Sequence, residues 1–224
     1  VFRQLAGVSE VESGYIGGTV PDPSYKQVCT GDTGHAEAIR VTYDPAVIGY
    51  AELLDVFFAT HDPTQLNRQG GDVGTQYRSA VFLNEDSPRG EVEAAIARAQ
   101  AERDAPIVTT IEGPATWYPA EDYHQEYWEG EGQRNPYCLA VIPPKLAKLR
   151  KGFAERLKGE ARQRATKNPS SPPTSASMPG SVRSQPCAVG ASPCGRYSAR
   201  IGSGASATRM ACSSPSAGSS EQVA

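Results

Sequence analysis

Between Thr166 and Ala224 the chain contains no Leu, no Phe and no Trp, which confines any packed core to roughly the first 165 residues. Ser, Pro, Gly and Ala dominate that last stretch, so ordering it would cost conformational entropy with little apolar area to bury. Two regions are therefore expected: a folded domain over 1–160, and a disordered Ser/Pro/Gly/Ala-rich tail over 161–224. Charge divides at the same place. Residues 1–165 hold 17 basic and 24 acidic side chains, a net charge of −7. A domain of that sign offers no broad electrostatic surface to nucleic acid or anionic lipid. No run of about eighteen apolar residues occurs, so no membrane span is expected. Of five cysteines only Cys29 and Cys138 fall in the domain, too few for a disulfide scaffold and in keeping with a reducing, cytoplasmic setting.

Within the domain, Val1-Phe2-Arg3-Gln4-Leu5, closed by Gly7, reads as the last turns of a helix entered before residue 1, and the domain is expected to be N-terminally incomplete. Val8 to Tyr15 alternates as a strand. A loop stiffened by Gly17-Gly18, Pro21 and Pro23 carries Tyr25. The strand that carries Glu37 comes next, and Tyr50 to Thr60 sets Leu53, Leu54, Phe57 and Phe58 at helical spacing before His61-Asp62-Pro63 ends the helix. A third strand is expected from Gln76 to Leu83, a helix after Pro88 with Val92, Ala95, Ile96 and Ala99 inward, and a fourth strand from Ile107 to Ile111. Glu121 to Trp128 reads as a short aromatic helix, and Pro143 to Lys158 as a basic amphipathic one. Alternating strands and helices with short links predict an α/β (α+β) two-layer sandwich, a mixed sheet with flanking helices.

The chemistry-bearing residues follow two Gly-rich loops. After Gly31-Asp32-Thr33-Gly34-His35, period two puts Glu37, Ile39, Val41 and Tyr43 on one strand face. A carboxylate aligned with apolar neighbours is desolvated, which favours its protonated form and makes Glu37 a candidate proton donor. The competing reading is a twisted strand that points Glu37 into water. Gly70-Gly71-Asp72-Val73-Gly74 leads likewise to Tyr77. The Tyr25 and Tyr77 hydroxyls can donate to a polar oxygen, or simply reach the rim of the core. Asp62 is best read as an Asx-type turn, whereas Asp72 can stabilise its loop or take a cation. The spacings of His35, His61, His124, Cys29 and Cys138 match no zinc pattern.

Gly14-Tyr15-Ile16-Gly17-Gly18, Pro23-Ser24-Tyr25-Lys26-Gln27-Val28-Cys29, Gly31 to Glu37, His61-Asp62-Pro63-Thr64, Arg68 to Ser79 and Ala120 to Gln125 follow one another as they do in the peptide methionine sulfoxide reductase A family, which the chain resembles from residue 1 to about 158. The resemblance implies a ferredoxin-like core and a protein-repair enzyme of oxidative stress. Such an enzyme is a monomer that reduces the S epimer of methionine sulfoxide, free or in proteins, without metal or organic cofactor, and is recycled by thioredoxin. It implies that Glu37 is the general acid, that Tyr25 and Tyr77 hydrogen-bond the sulfoxide oxygen, and that Asp72 lies in the same network. Cys138, in Asn135-Pro136-Tyr137-Cys138, resembles the position of a resolving Cys, and Cys29 that of a structural one. The family's nucleophile sits in a Gly-Cys-Phe-Trp-Gly motif ahead of the position equivalent to Val1. These 224 residues do not contain that motif, so the chain as given is expected to lack turnover. The alternative is a module that binds methionine sulfoxide without reducing it.

Overall fold

The computed structural model describes residues 1–84 and 87–159, and of the rest only the backbone of 203–204 and 219–223. Two long antiparallel strands form its frame, β1 (Val8–Ile16) and β2 (Ala36–Tyr43), with Tyr15 opposite Glu37 and Ile16 opposite Ala36. β2 is buried along most of its length, and Ala36, Ala38 and Val41 are almost wholly enclosed. A strand covered on both faces needs ladder partners on both edges, because its N–H and C=O groups have no water to bond. On one side β1 supplies them.

The other strands are short: β3 (Arg68–Gln69), β4 (Asp72–Val73), β5 (Ala80–Phe82), β6 (Thr110–Glu112) and β7 (Trp117–Pro119). Two more come from the far end of the chain, β8 (Ser203–Gly204) and β9 (Ser219–Val223). The main sheet runs β6-β5-β9-β2-β1-β7, with β8 on β9, and β3 with β4 forms a separate ribbon. β5 and β6 are parallel and the remaining pairs antiparallel, so the sheet is mixed. Ile39 of β2 and Val81 of β5 both meet Val223, which places β9 between them.

Among the described residues four α-helices pack with these strands: α1 (Tyr25–Thr30), α2 (Tyr50–Thr60), α3 (Arg89–Ala101) and α4 (Pro136–Gly152). The main core joins one sheet face to α2 and α3: Ile39, Val41 and Tyr43 pack with Leu53, Leu54, Phe57, Val81, Val92 and Ala95. Ile16, Ala38 and Phe82 form a smaller cluster with Trp117. The start and end of the domain clasp each other. Ala6 N–H donates to Arg156 O, Lys158 N–H donates to Gln4 O, and Leu5 bridges Leu157.

The sequence reading differs from these elements at identifiable points. Residues 2–4 make a 3-10 turn. Tyr77 lies in a 3-10 turn (Thr75–Tyr77) rather than a strand, because Gly74 at φ +147° starts the turn and the Gln76 side chain folds back to the Cys29 carbonyl. The fourth strand is confined to 110–112. Asp122–His124 is one 3-10 turn; Glu126 at φ +52° stops any helix there, and the Gln125 amide is committed to Ser13. α4 begins seven residues earlier than expected, since Asn135 caps it through the Tyr137 amide and Pro136 suits the first turn; Pro143 and Pro144 fall inside it. The expected tail lies mostly outside the described residues. Its two described stretches are strands paired through the backbone.

Candidate functional site

Tyr25 is the first residue of α1, and its position there is fixed from outside the helix. The backbone N–H of Tyr25 donates to Glu121 Oε1 at 2.8 Å, while Ser24 N–H donates to Gln27 Oε1 at 2.9 Å and closes the first turn. One helical turn on, the Cys29 side chain accepts a hydrogen bond from the Tyr25 hydroxyl. Burial pushes the Tyr25 phenol well above its usual range; that bond and then the neighbouring Glu37 carboxyl, Cys29 and Tyr77 add to the push. The hydroxyl therefore stays protonated and can donate.

Glu37 enters from β2. Its side chain is buried, 7% exposed, near the end of the strand face that also carries Ile39 and Val41. Tyr77 is buried too, at 4% exposure. Its turn is tied to α1 by Gln76 Nε2 on the Cys29 carbonyl (3.3 Å) and by Thr75 Oγ1 on the Gly31 carbonyl (3.4 Å). Arg78 locks the following residue: its guanidinium pairs with Glu112 through Nε (2.9 Å) and Nη2 (3.2 Å), and Nη1 donates to the Gly34 carbonyl. One buried acid and two phenols thus come from three separate elements, with Glu37 and Tyr77 both within electrostatic reach of the Tyr25 phenol. That set can protonate an oxygen and donate hydrogen bonds to it.

Asp72 belongs to a second group. It is 4% exposed and accepts from Tyr137 Oη at 2.6 Å. Burial lowers the Lys145 ammonium to about 8, with Asp72 opposing that shift and Lys148 adding to it. Cys138 follows Tyr137, packs against Trp128 and Leu146, and is disulfide-bonded, whereas Cys29 is a half-buried cysteine outside any disulfide. A separate cavity of about 110 Å³ is lined by Ile39, His61, Trp128 and Lys145, and none of Tyr25, Glu37, Tyr77, Asp72 or Cys138 borders it.

Several histidines and acids settle into plain structural roles. His35 Nδ1 accepts from Gly18 N–H and its Nε2–H donates to the Val20 carbonyl, which staples the glycine loop to the start of β2. Asp62 accepts from the backbone and hydroxyl of Thr64, the expected Asx-type turn. Among the described residues no group of three or more His, Cys, Asp or Glu is placed to hold a metal.

Neither Glu121 as a partner of Tyr25 nor His124 as the ring beneath it is expected from the sequence. The His124 and Tyr25 centroids lie 4.3 Å apart at 55°. Burial lowers the His124 imidazole below its ordinary value, so it is neutral near pH 7, with the nearby Glu121 opposing. No local pattern signals either contact. The Tyr25 to Cys29 spacing of four was a usable signal for that pair.

Comparison with known proteins gives a consistent result. The family model described as "Peptide methionine sulfoxide reductase" matches residues 1–157. A peptide methionine sulfoxide reductase MsrA from Erwinia tasmaniensis is 66% identical over 154 residues, 69% of this chain and 86% of the relative. The protein of the same description from Deinococcus radiodurans is 54% identical over 165 residues, covering 70% of this chain and 77% of its own length. Among solved structures, reduced Mxr1 from Saccharomyces cerevisiae superposes with a TM-score of 0.53 at 40% identity, over 57% of this chain and 74% of that one.

Proposed function

The chain belongs to the peptide methionine sulfoxide reductase family, and we propose that Tyr25, Glu37 and Tyr77 form the oxygen-binding half of its site for the S epimer of methionine sulfoxide. The observation that carries this reading is that buried Glu37 and buried Tyr77 both lie close enough to the Tyr25 phenol to push it further above its usual range. The sulfoxide oxygen carries most of the negative charge of the S–O bond. Two phenols donating to it polarise that bond, and a proton from Glu37 makes the oxygen a leaving group.

In the full reaction a thiolate attacks the sulfoxide sulfur and takes the oxygen as sulfenic acid, releasing methionine. A second thiol condenses with the sulfenic acid to a disulfide and water, and a dithiol such as thioredoxin reduces that disulfide. Electrons pass between sulfurs throughout, so the scheme needs no metal or organic cofactor. Asp72 holds Tyr137 at the start of α4, beside Cys138, and Cys138 is the candidate resolving cysteine once its disulfide is reduced. The nucleophile is assigned to none of these 224 residues. Thioredoxin as reductant and a cytoplasmic setting are part of this proposal; among the described residues no helix is long and apolar enough to cross a membrane.

Binding tests the part of the mechanism that this chain carries. N-acetyl-L-methionine S-sulfoxide is expected to bind saturably and more tightly than the R epimer or the thioether. Glu37→Gln and Tyr25→Phe are each expected to weaken it by about tenfold, one hydrogen bond's worth. Equal affinity for both epimers, untouched by either variant, would overturn the reading.

A further inference from the structure

Glu121 is the acid that meets Tyr25 and Tyr15 at once. Its Oε1 accepts the Tyr25 backbone N–H and its Oε2 accepts the Tyr15 hydroxyl, both at 2.8 Å. Tyr15 stands opposite Glu37 in the β1–β2 ladder. A single carboxylate therefore ties the start of α1, which carries the Tyr25 phenol, to the strand pair that carries Glu37.

The carboxylate is itself held in place. Ala120 N–H donates to the Ser13 carbonyl at 2.9 Å. Gln125 closes on both backbone groups of Ser13, accepting from its N–H at 2.8 Å and donating to its carbonyl at 2.9 Å, and also donates to the Ala120 carbonyl. Residues 120–125 are thus latched to β1, and Glu121 projects from the latch. Burial works against its charge, but hydrogen bonds from the Tyr25 backbone, its own backbone and Tyr15 outweigh it and keep the carboxyl below its ordinary value. α1 has only six residues and depends on such external ties for its orientation.

We propose that Glu121 is a positioning residue: by holding the Tyr25 amide and the Tyr15 hydroxyl together it sets the Tyr25 phenol beside Glu37, and it acts on sulfoxide only through Tyr25. The proposal rests on the oxygen-binding role given above to Tyr25. Glu121→Gln keeps the shape but removes the charge: its carbonyl can still accept the Tyr25 N–H, its NH2 can only donate to the Tyr15 oxygen, and both bonds lose their charge assistance.

A double-mutant cycle on the full 224-residue chain decides it, with N-acetyl-L-methionine S-sulfoxide as the probe and ¹³Cζ-tyrosine labelling to follow the Tyr25 ring. Glu121→Gln is expected to weaken binding about tenfold in the native background and less than about twofold once Tyr25 is Phe. The Tyr25 ¹³Cζ resonance should move in Glu121→Gln before any ligand is added. Equal losses in both backgrounds, or an unmoved Tyr25 resonance, would overturn the proposal. If no form binds the sulfoxide, the oxygen-binding reading fails, and the Tyr25 resonance alone still decides whether Glu121 positions the ring. Should Glu121→Gln not fold, Glu121→Asp, whose shorter arm reaches one partner only, is put through the same cycle with the same expectation.

Discussion

The Tyr137 hydroxyl donates a 2.6 Å hydrogen bond to Asp72 Oδ2, joining the first turn of α4 to a β-ribbon 65 residues earlier in the chain. Asp72 is 4% exposed, and a buried carboxylate deprived of a donor retains its desolvation cost. Tyr137→Phe removes that donor and little volume. Hydrogen bonds to charged groups contribute about 1.5–3 kcal/mol, so the urea midpoint should fall accordingly with an unchanged slope. A loss below about 0.5 kcal/mol would mean that Asp72 does not depend on Tyr137.

The same carboxylate holds up the charge on Lys145. Burial lowers that ammonium to about 8, and Asp72 acts in the opposite direction. Asp72→Asn takes away the favourable charge and leaves the burial, so Lys145 should titrate at still lower pH. An NMR titration that follows the lysine side chain checks this. A Lys145 titration that stays in place or rises would show that the two groups are not coupled.

Folding should become acid-sensitive well above the carboxylate range because of His61. Burial depresses this imidazole to about 3; the Phe57 carbonyl, which accepts from its Nδ1–H, opposes the shift, and Lys145 and Arg103 deepen it. Its Nε2 accepts from the Ser79 hydroxyl at 2.8 Å. The unfolded chain takes up a proton near the ordinary histidine value of about 6.5, and the folded chain does not until near 3. Stability is then fully present above about pH 6.5 and is lost as pH falls below it, by about 1.4 kcal/mol per unit. Urea midpoints between pH 7.5 and 4.5 should show that slope, and His61→Gln should flatten it.

The parts of this fold that could be read in advance are those where one element dictates its own pattern. In α2, Leu53, Leu54, Phe57 and Phe58 recur at helical spacing, and all four are buried. In β2 alternation put Glu37 on the face of Ile39 and Val41, and the carboxyl is enclosed. What escaped the sequence depends on partners far along the chain. The Glu121 clamp on Tyr25 spans 96 residues, and no window around either residue contains it. Tyr77 alternates with Ser79 and Val81 as a strand would, yet Gly74 and the Gln76 side chain bend it into a turn. β9, Ser219-Ser220-Glu221-Gln222-Val223, has no apolar period at all; its place is set by ladder bonds to β2 and β5. Such a strand is legible only from the edges it covers.

Turnover is the property this chain should not show alone. Neither described cysteine stands in a Gly-Cys-Phe-Trp-Gly setting. Cys29 is half-buried and hydrogen-bonded to the Tyr25 side chain, and Cys138 is buried and disulfide-bonded. With methionine S-sulfoxide and either dithiothreitol or thioredoxin, the 224-residue chain is expected to form no methionine. Turnover abolished by Cys29→Ser or Cys138→Ser would assign the nucleophile to that residue and overturn this expectation.

The glycine loop ahead of α1 offers a test of how strictly the approach to Glu37 is built. A Cβ on Gly18 would lie 2.4 Å from both the His35 nitrogen and the Thr33 carbonyl oxygen, and these are backbone atoms that cannot rotate away. Gly18 N–H also donates to His35 Nδ1, and Thr19 N–H to the Thr33 carbonyl, so the loop and the residues entering β2 are held face to face. Gly18→Ala must push these segments apart. Overpacking of this kind costs about 1–3 kcal/mol, and the displacement falls two residues before Glu37. Sulfoxide affinity should therefore drop together with the melting temperature. Gly90→Ala is the control: no atom lies within 4 Å of the added carbon, and the site is in the first turn of α3. There the substitution should raise stability by about 0.5 kcal/mol, by restricting the unfolded chain, and leave binding unchanged. If Gly18→Ala lowers stability but not affinity, the loop supports the fold without setting the position of Glu37.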